Sequence, residues 1–161
     1  MNKVFLILII ACFTSCTTTY YVVRHAEKAA AGPNMTSDLP LSEAGEARAQ
    51  ALRTLLEDKK IREIYSTNTI RTKSTAKPLS DAIGVPVQVY APGDTTFVSR
   101  IKSGSKGAVL IVGHSNTVDD IVNGFVNRNA VQDLPDSEYS KLFVIRKKGQ
   151  RYNLTELRYG N

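Results

Sequence analysis

Cysteine is nearly missing from this chain of 161 residues: only Cys12 and Cys16 occur, and none follows them. That removes a disulfide framework, a thiolate zinc site and a cysteine nucleophile from the body of the protein. Tryptophan is absent, and histidine occurs only at His25 and His114. Chemistry that needs an imidazole must therefore use one of these two. Long apolar runs are missing too. The longest, Val4 to Ala11, falls well short of the roughly 20 residues that span a bilayer. What is present is ordinary for a folded protein: 42% hydrophobic and 22% charged residues exclude a disordered chain, and the length suits one domain.

The first 15 residues read as a leader rather than as fold. Lys3 supplies a positive start, Val4 to Ala11 an apolar stretch of secretory type, and Phe13-Thr14-Ser15 brings small residues up to Cys16. The pattern resembles a bacterial lipoprotein signal. That resemblance implies cleavage before Cys16, lipid on its sulfur and a place on a membrane of the cell envelope. Ile9-Ile10-Ala11-Cys12 fits the same pattern loosely, with a shorter apolar run. Residues 16–19 would then be the lipidated cysteine and a short linker, and residues 20–161 the domain.

The formal net charge is +6. Such an excess suits nucleic acid, an acidic membrane surface or a phosphorylated ligand. No groove-reading motif is present, and the 21 basic residues are scattered. The one cluster, Arg146-Lys147-Lys148, sits beside a glycine and reads as a solvated turn. Nucleic acid is therefore not expected as a partner.

Beyond the leader, strand-like and helix-like segments alternate. Tyr20 to Val23 is a short β-rich run, followed by Arg24-His25 and a polar loop to Pro40. Ser42 is a plausible N-cap for a helix to about Lys59, with Ala44, Ala47, Ala51, Leu52 and Leu55 as its apolar face. A strand over Ile61 to Tyr65 and a helix over Ile70 to Ile83 follow. Gly84 should close that helix, and Pro78 should bend or interrupt it. Val85 to Tyr90 is a third strand, and a short helix runs out near Gly104. Ala108 to Val112 is apolar throughout, as expected of a strand buried on both faces. A helix over Asn116 to Val126 and two strands, Leu142 to Arg146 and Tyr152 to Arg158, complete the chain. The alternation predicts an α/β fold, a three-layer α/β/α sandwich around a mostly parallel sheet of about six strands. Such sheets hold ligands at the carboxyl ends of their strands.

Both histidines fall at such ends, in Val23-Arg24-His25 and Val112-Gly113-His114, and Arg71 opens a helix just past a third strand. Two imidazoles and two guanidiniums on one rim, with helix N-termini beside them, suit a phosphate. Arg24-His25-Ala26-Glu27, Ser66 through Arg71 to Thr75-Ala76, and Gly113-His114-Ser115-Asn116 resemble, in order, three signatures of the histidine phosphatase superfamily, also called phosphoglycerate mutase-like. Pro40-Leu41-Ser42-Glu43-Ala44-Gly45 resembles that family's lead-in to its first helix. The resemblance implies that His25 is the nucleophile and becomes a phosphohistidine. It also implies that Arg24, Arg71 and His114, with Ser115 beside them, hold the phosphoryl oxygens. A phosphorylated small molecule or phosphoprotein would be the substrate. No cofactor is expected, and no carboxylate–His–Cys cluster stands ready for a metal.

Asp94 is a candidate proton donor for the leaving oxygen; alternatively, it caps the helix after it. Glu27, Asp119 and Asp120 are further candidates. Small family members include some without an evident donor, which suits good leaving groups such as phosphohistidine or aryl phosphates. Lys28 and Ala31 stand where mutases of the family have Ser and Asn. The short interval from Arg71 to His114 leaves little room for a cap insertion. Both features favour the small single-domain branch and hydrolysis over a mutase-type transfer. A serine hydrolase reading of Gly113-His114-Ser115-Asn116-Thr117 fails, because Thr117 replaces the second glycine and no histidine follows His114. A non-catalytic lipoprotein that binds a phosphorylated ligand at the same rim is the remaining alternative.

Overall fold

A computed structural model describes residues 17–32 and 38–160. The expected leader and the expected lipid site Cys16 lie outside the described residues. In chain order the elements are β1 (Thr18–Arg24), α1 (Glu43–Leu56), β2 (Ile61–Ser66), α2 (Ile70–Ile83) and β3 (Val87–Val89). They continue with α3 (Phe97–Gly104), β4 (Ala108–Gly113), α4 (Val118–Val126), β5 (Lys141–Lys148) and β6 (Arg151–Arg158). One six-stranded sheet has the order β3-β2-β4-β1-β5-β6. Its first four strands are mutually parallel, and β5 and β6 add an antiparallel hairpin at one side.

Alternation along the central strands divides two apolar layers. Tyr20, Val22, Val109, Ile111, Phe143 and Ile145 face α3 and α4, meeting Phe97, Ile101, Val122 and Phe125. Tyr21, Val23, Leu110, Val112, Leu142 and Val144 face α1 and α2, meeting Leu52, Leu56, Ala76 and Leu79. β4 is buried at every residue, as its unbroken apolar run predicts. Each such Val, Leu, Ile or Phe stabilises the fold by about 1.5–3 kcal/mol relative to an exposed one. Among the described residues, every strand, every helix and both apolar layers lie within residues 17–160.

Local expectations need three adjustments. α1 begins after its Ser42 cap, whose hydroxyl accepts from the Gly45 amide, but its buried face is Gly45, Ala49, Leu52 and Leu56. Ala44 and Ala47 are exposed. Alanine is a weak marker of a buried face, because it is as much at home on a solvated helix surface. The helix packs against the loop after β1 through Gly45, where a Cβ would overlap the Glu27 carbonyl oxygen. α2 runs through Pro78 without a break and ends at Gly84, which is left-handed with φ 68°. β3 shrinks to three residues on the sheet edge, and Tyr90, expected as its end, instead donates its amide to Ser66.

Gly45 yields a test with an unusual sign. In a helix interior Gly→Ala ordinarily stabilises by up to about 1 kcal/mol. Gly45→Ala should instead destabilise by about 1–3 kcal/mol, through overpacking against the Glu27 backbone. Gly104→Ala, with open space around it, is the control and should be neutral or slightly stabilising. Denaturant melts of the two variants check this, and a more stable Gly45→Ala would contradict the packing described.

Candidate active site

The rim where β1, β2 and β4 end gathers the site. β1 and β4 pair in register, Arg24 opposite Gly113, and the His25 amide donates to the Gly113 carbonyl at 2.9 Å. The residues that follow these partners, His25 and His114, therefore stand side by side, with ring centroids 5.6 Å apart. Gly113 itself has no space for a side chain: Tyr90, Thr117 and Val118 atoms lie 3.0–3.3 Å from where a Cβ would be. Arg71 enters from the first turn of α2. The Asp38 carboxylate meets it at 3.4 Å and also caps that helix by accepting from the Ile70 amide.

Together Arg24, His25, Arg71, His114 and Ser115 line an open hollow of about 360 Å³, with Lys28, Thr69, Pro92, Asn116, Thr117 and Asp136 around it. The expected residues Arg24, Arg71, Ser115 and both histidines thus meet in one place. Asp94 does not line the hollow. Its carboxylate accepts from the amide and hydroxyl of Thr96 at 2.9 and 2.7 Å, and pairs with Arg100 at 3.2 Å. The Thr96 bonds and Arg100 hold it below the ordinary carboxylate range, the wrong direction for a proton donor near neutral pH. It caps the turn into α3 and lines a neighbouring, more apolar groove with Asp120, Ile121 and Val98.

Glu27 is likewise committed elsewhere. Burial works to raise its carboxyl, but a forked ion pair with Arg48 at 2.7–2.9 Å outweighs this and keeps it below its usual value. Asp119 is pushed upward by burial, yet it is not among the residues lining the hollow.

The electrostatics of the two imidazoles follow from their surroundings. His25 is almost fully buried; desolvation above all lowers its pKa to about 4, opposed by the hydrogen bond to the Ala26 carbonyl and aided by the charges of Arg24 and Arg71. The ring is neutral at pH 7. Its Nδ1 lies 2.7 Å from that carbonyl, which can only accept, so Nδ1 carries the proton and Nε2 keeps a free lone pair. His114 is lowered by desolvation and by the same two arginines. Its Nε2 lies 2.8 Å from the Thr67 hydroxyl, which reaches Thr72 in turn.

Arg24 is more constrained than its place in a motif suggests. One terminal nitrogen donates to the carbonyls of Pro135, Asp136 and Glu138 at 2.8–3.3 Å, and the guanidinium lies 4.2 Å over the Tyr139 ring. It ties down the segment that walls one side of the hollow. Among the described residues the Nε–H groups of Arg24 and Arg71 are both shielded from water without a partner. Buried unpaired donors are costly, and an anion would satisfy them. Thr67, Asp38 and Tyr139 carry no role in the sequence reading. Thr67 lies inside the motif that runs from Ser66 to Ala76, which is a signal for it; Tyr139 sits in an irregular stretch far along the chain and has none. Among the described residues no group of three His, Cys, Asp or Glu side chains could hold a metal ion.

Residues 20–91 match the model of the histidine phosphatase superfamily, branch 1. Over that segment, a little under half of its length, the chain is similar to the histidine phosphatase superfamily. The matched segment carries Arg24, His25 and Arg71, while His114 is brought to them by the fold. Solved structures share that fold. A protein from Agrobacterium tumefaciens described as the phosphohistidine phosphatase SixA aligns with a TM-score of 0.68 and 23% identity, over 86% of this chain and 96% of that one. The protein histidine phosphatase SixA complexed with tungstate aligns with a TM-score of 0.68 and 16% identity, over 87% and 96%. A protein described as an α-ribazole-5′-phosphate phosphatase from Escherichia coli K-12 aligns with a TM-score of 0.67 and 15% identity, over 88% and 96%. No curated protein sequence matches the chain.

The unpaired guanidinium donors give the hollow a binding test that needs no turnover. Inorganic phosphate should raise the melting temperature, by the equivalent of about 2.7 kcal/mol at a hundred times its Kd. Arg71→Ala should remove most of that rise. An equal rise in both proteins would place the anion elsewhere.

Proposed function

We propose that this protein is a phosphatase that hydrolyses phosphomonoesters, or phosphohistidine, through a phosphohistidine on His25. The observation that carries this reading is the neutral His25 ring, proton fixed on Nδ1, set among Arg24, Arg71 and His114. The Nε2 lone pair attacks phosphorus, and the bond to the leaving group breaks with its electron pair going to that group. The phosphoryl group then sits on Nε2. Water attacks it, the P–N bond returns its pair to the ring, and inorganic phosphate leaves while the water proton goes to solvent. Arg71, His114 and the Arg24 Nε–H hold the oxygens on which charge spreads, and positioning of this kind supplies most of the catalysis in phosphoryl transfer.

The arginines neutralise the phosphate, so the reaction as proposed takes no metal. The carboxylate that lines the hollow, Asp136, is exposed at its rim. With Asp94 and Glu27 engaged elsewhere, substrates whose leaving groups need no donated proton, such as aryl phosphates and phosphohistidine, fit best. The SixA proteins that share this fold are described as phosphohistidine and protein histidine phosphatases, in agreement with that class. The open hollow favours release to water over the retained intermediate of a mutase. A domain that only binds a phosphorylated ligand would show affinity without turnover.

Residues 17–161 should hydrolyse p-nitrophenyl phosphate in EDTA. His25→Ala should lose the activity, and Arg71→Ala should lose about two to three orders of magnitude. Binding without turnover in the parent protein would favour the binding-module reading. The pH profile adds a second check. A His25 pKa near 4 keeps the nucleophile unprotonated well into acid, so the acid limb of kcat/KM should bend near 4, after correction for substrate ionisation, and not near 6.5.

A further inference from the structure

The positive charge of this chain is unevenly placed. β1, β2 and β4 all begin at the end of the sheet opposite the site, with Thr19 and Ile61 both paired with Ala108. The β5–β6 turn reaches the same end, where Lys147 pairs with Thr18. Around this base stand Lys59, Lys60, Arg62, Lys106, Lys148 and Arg151, all exposed. Arg62 lies against Gly107, the residue after Lys106, so the start of β2 and the turn into β4 meet on this surface. Among the described residues none of these six side chains makes an ion pair or a side-chain hydrogen bond. Elsewhere on the surface the arginines and lysines are repeatedly paired, as in Arg53–Glu57, Lys77–Asp81, Arg100–Asp94 and Arg158–Glu138. Of the acidic groups near the base, Glu57 pairs with Arg53, and Glu63 accepts from Tyr65 and Ser105. Asp58 is the exposed exception.

We infer that this base is a docking surface for an anionic phospholipid membrane. Unpaired cations drawn from the strand ends and connections of β2, β4 and the β5–β6 hairpin onto one end form a patch suited to a broad negative surface. Its position favours a membrane over other polyanions. The described chain begins at Thr17, at this same end, one residue after Cys16 and a short distance from the apolar run Val4 to Ala11. A chain held to a membrane through that segment would press these cations against the headgroups. The seven residues of β1, at about 3.3 Å each, would hold His25 roughly 20 Å or more above the lipid, facing away. The inference rests on the charge distribution and is independent of the reaction proposed for the hollow.

Residues 17–161, which lack Cys16 and the apolar run, should co-sediment with vesicles of phosphatidylcholine plus phosphatidylglycerol but not with phosphatidylcholine alone. High salt should release them. The combined variant K59E/K60E/K148E should lower partitioning by about tenfold or more, with melting temperature and p-nitrophenyl phosphate turnover unchanged. Three results would each overturn the inference. One is equal binding to neutral vesicles, and another is unchanged partitioning of a folded charge-reversal variant. The third is loss of vesicle binding in Arg71→Ala, which would mean that a headgroup occupies the hollow. Duplex DNA bound more tightly than the vesicles at matched salt, through the same lysines, would overturn it in favour of a nucleic-acid surface.

Discussion

The hydrogen-bonded pairing of β1 with β4 is the constraint on which the rest depends. Two parallel strands matched residue for residue put whatever follows each of them at a common height. Arg24 opposite Gly113 fixes that height, and the His25 amide extends the ladder one bond further. A side chain's facing along a strand alternates with each residue, so a slip of one would carry an imidazole to the other face of the sheet. Both faces of β1 and β4 are buried in separate apolar layers, which makes such a slip expensive on either side. The geometry of the site is in this sense a by-product of the core.

Charge placement explains how the hollow is kept reactive. Two guanidiniums beside one buried and one half-buried imidazole would repel one another strongly if all four were charged. Burial and the arginines resolve this by keeping the imidazoles neutral. The same arginines then face an anion with donors already desolvated, so little reorganisation accompanies binding. Arg24 shows the cost of that preparation. Most of its hydrogen-bonding capacity goes into fixing residues 135–139, and that anchoring helps shape the hollow as much as its charge does.

Much of this was legible in the sequence because it is written in local pattern. An apolar run ending in Arg-His, another ending in Gly-His, and an arginine one residue into a helix declare strand ends and a helix start without reference to anything distant. The three-layer fold and the boundaries of α2 and β4 follow from the same signals. The buried face of α1 did not, because it depends on where the Glu27 carbonyl passes, and the sequence pattern of small residues around Gly45 is nearly featureless. Tyr139 and Asp136 meet Arg24 across more than a hundred residues of chain and carry no periodicity of their own. Asp94 was ambiguous between acid and cap until its neighbours Thr96 and Arg100 were seen to enclose it.

The central claim is that the lone pair on Nε2 of His25, and no other atom, takes the phosphoryl group. It is tested most directly by rapid acid-free quench of the protein with labelled substrate, followed by mapping of the labelled residue and of the phosphorylated ring nitrogen. The account predicts an acid-labile phosphoenzyme carrying its phosphate on Nε2 of residue 25. A label on Nδ1 of that ring, or on any other side chain such as Ser115, would contradict it.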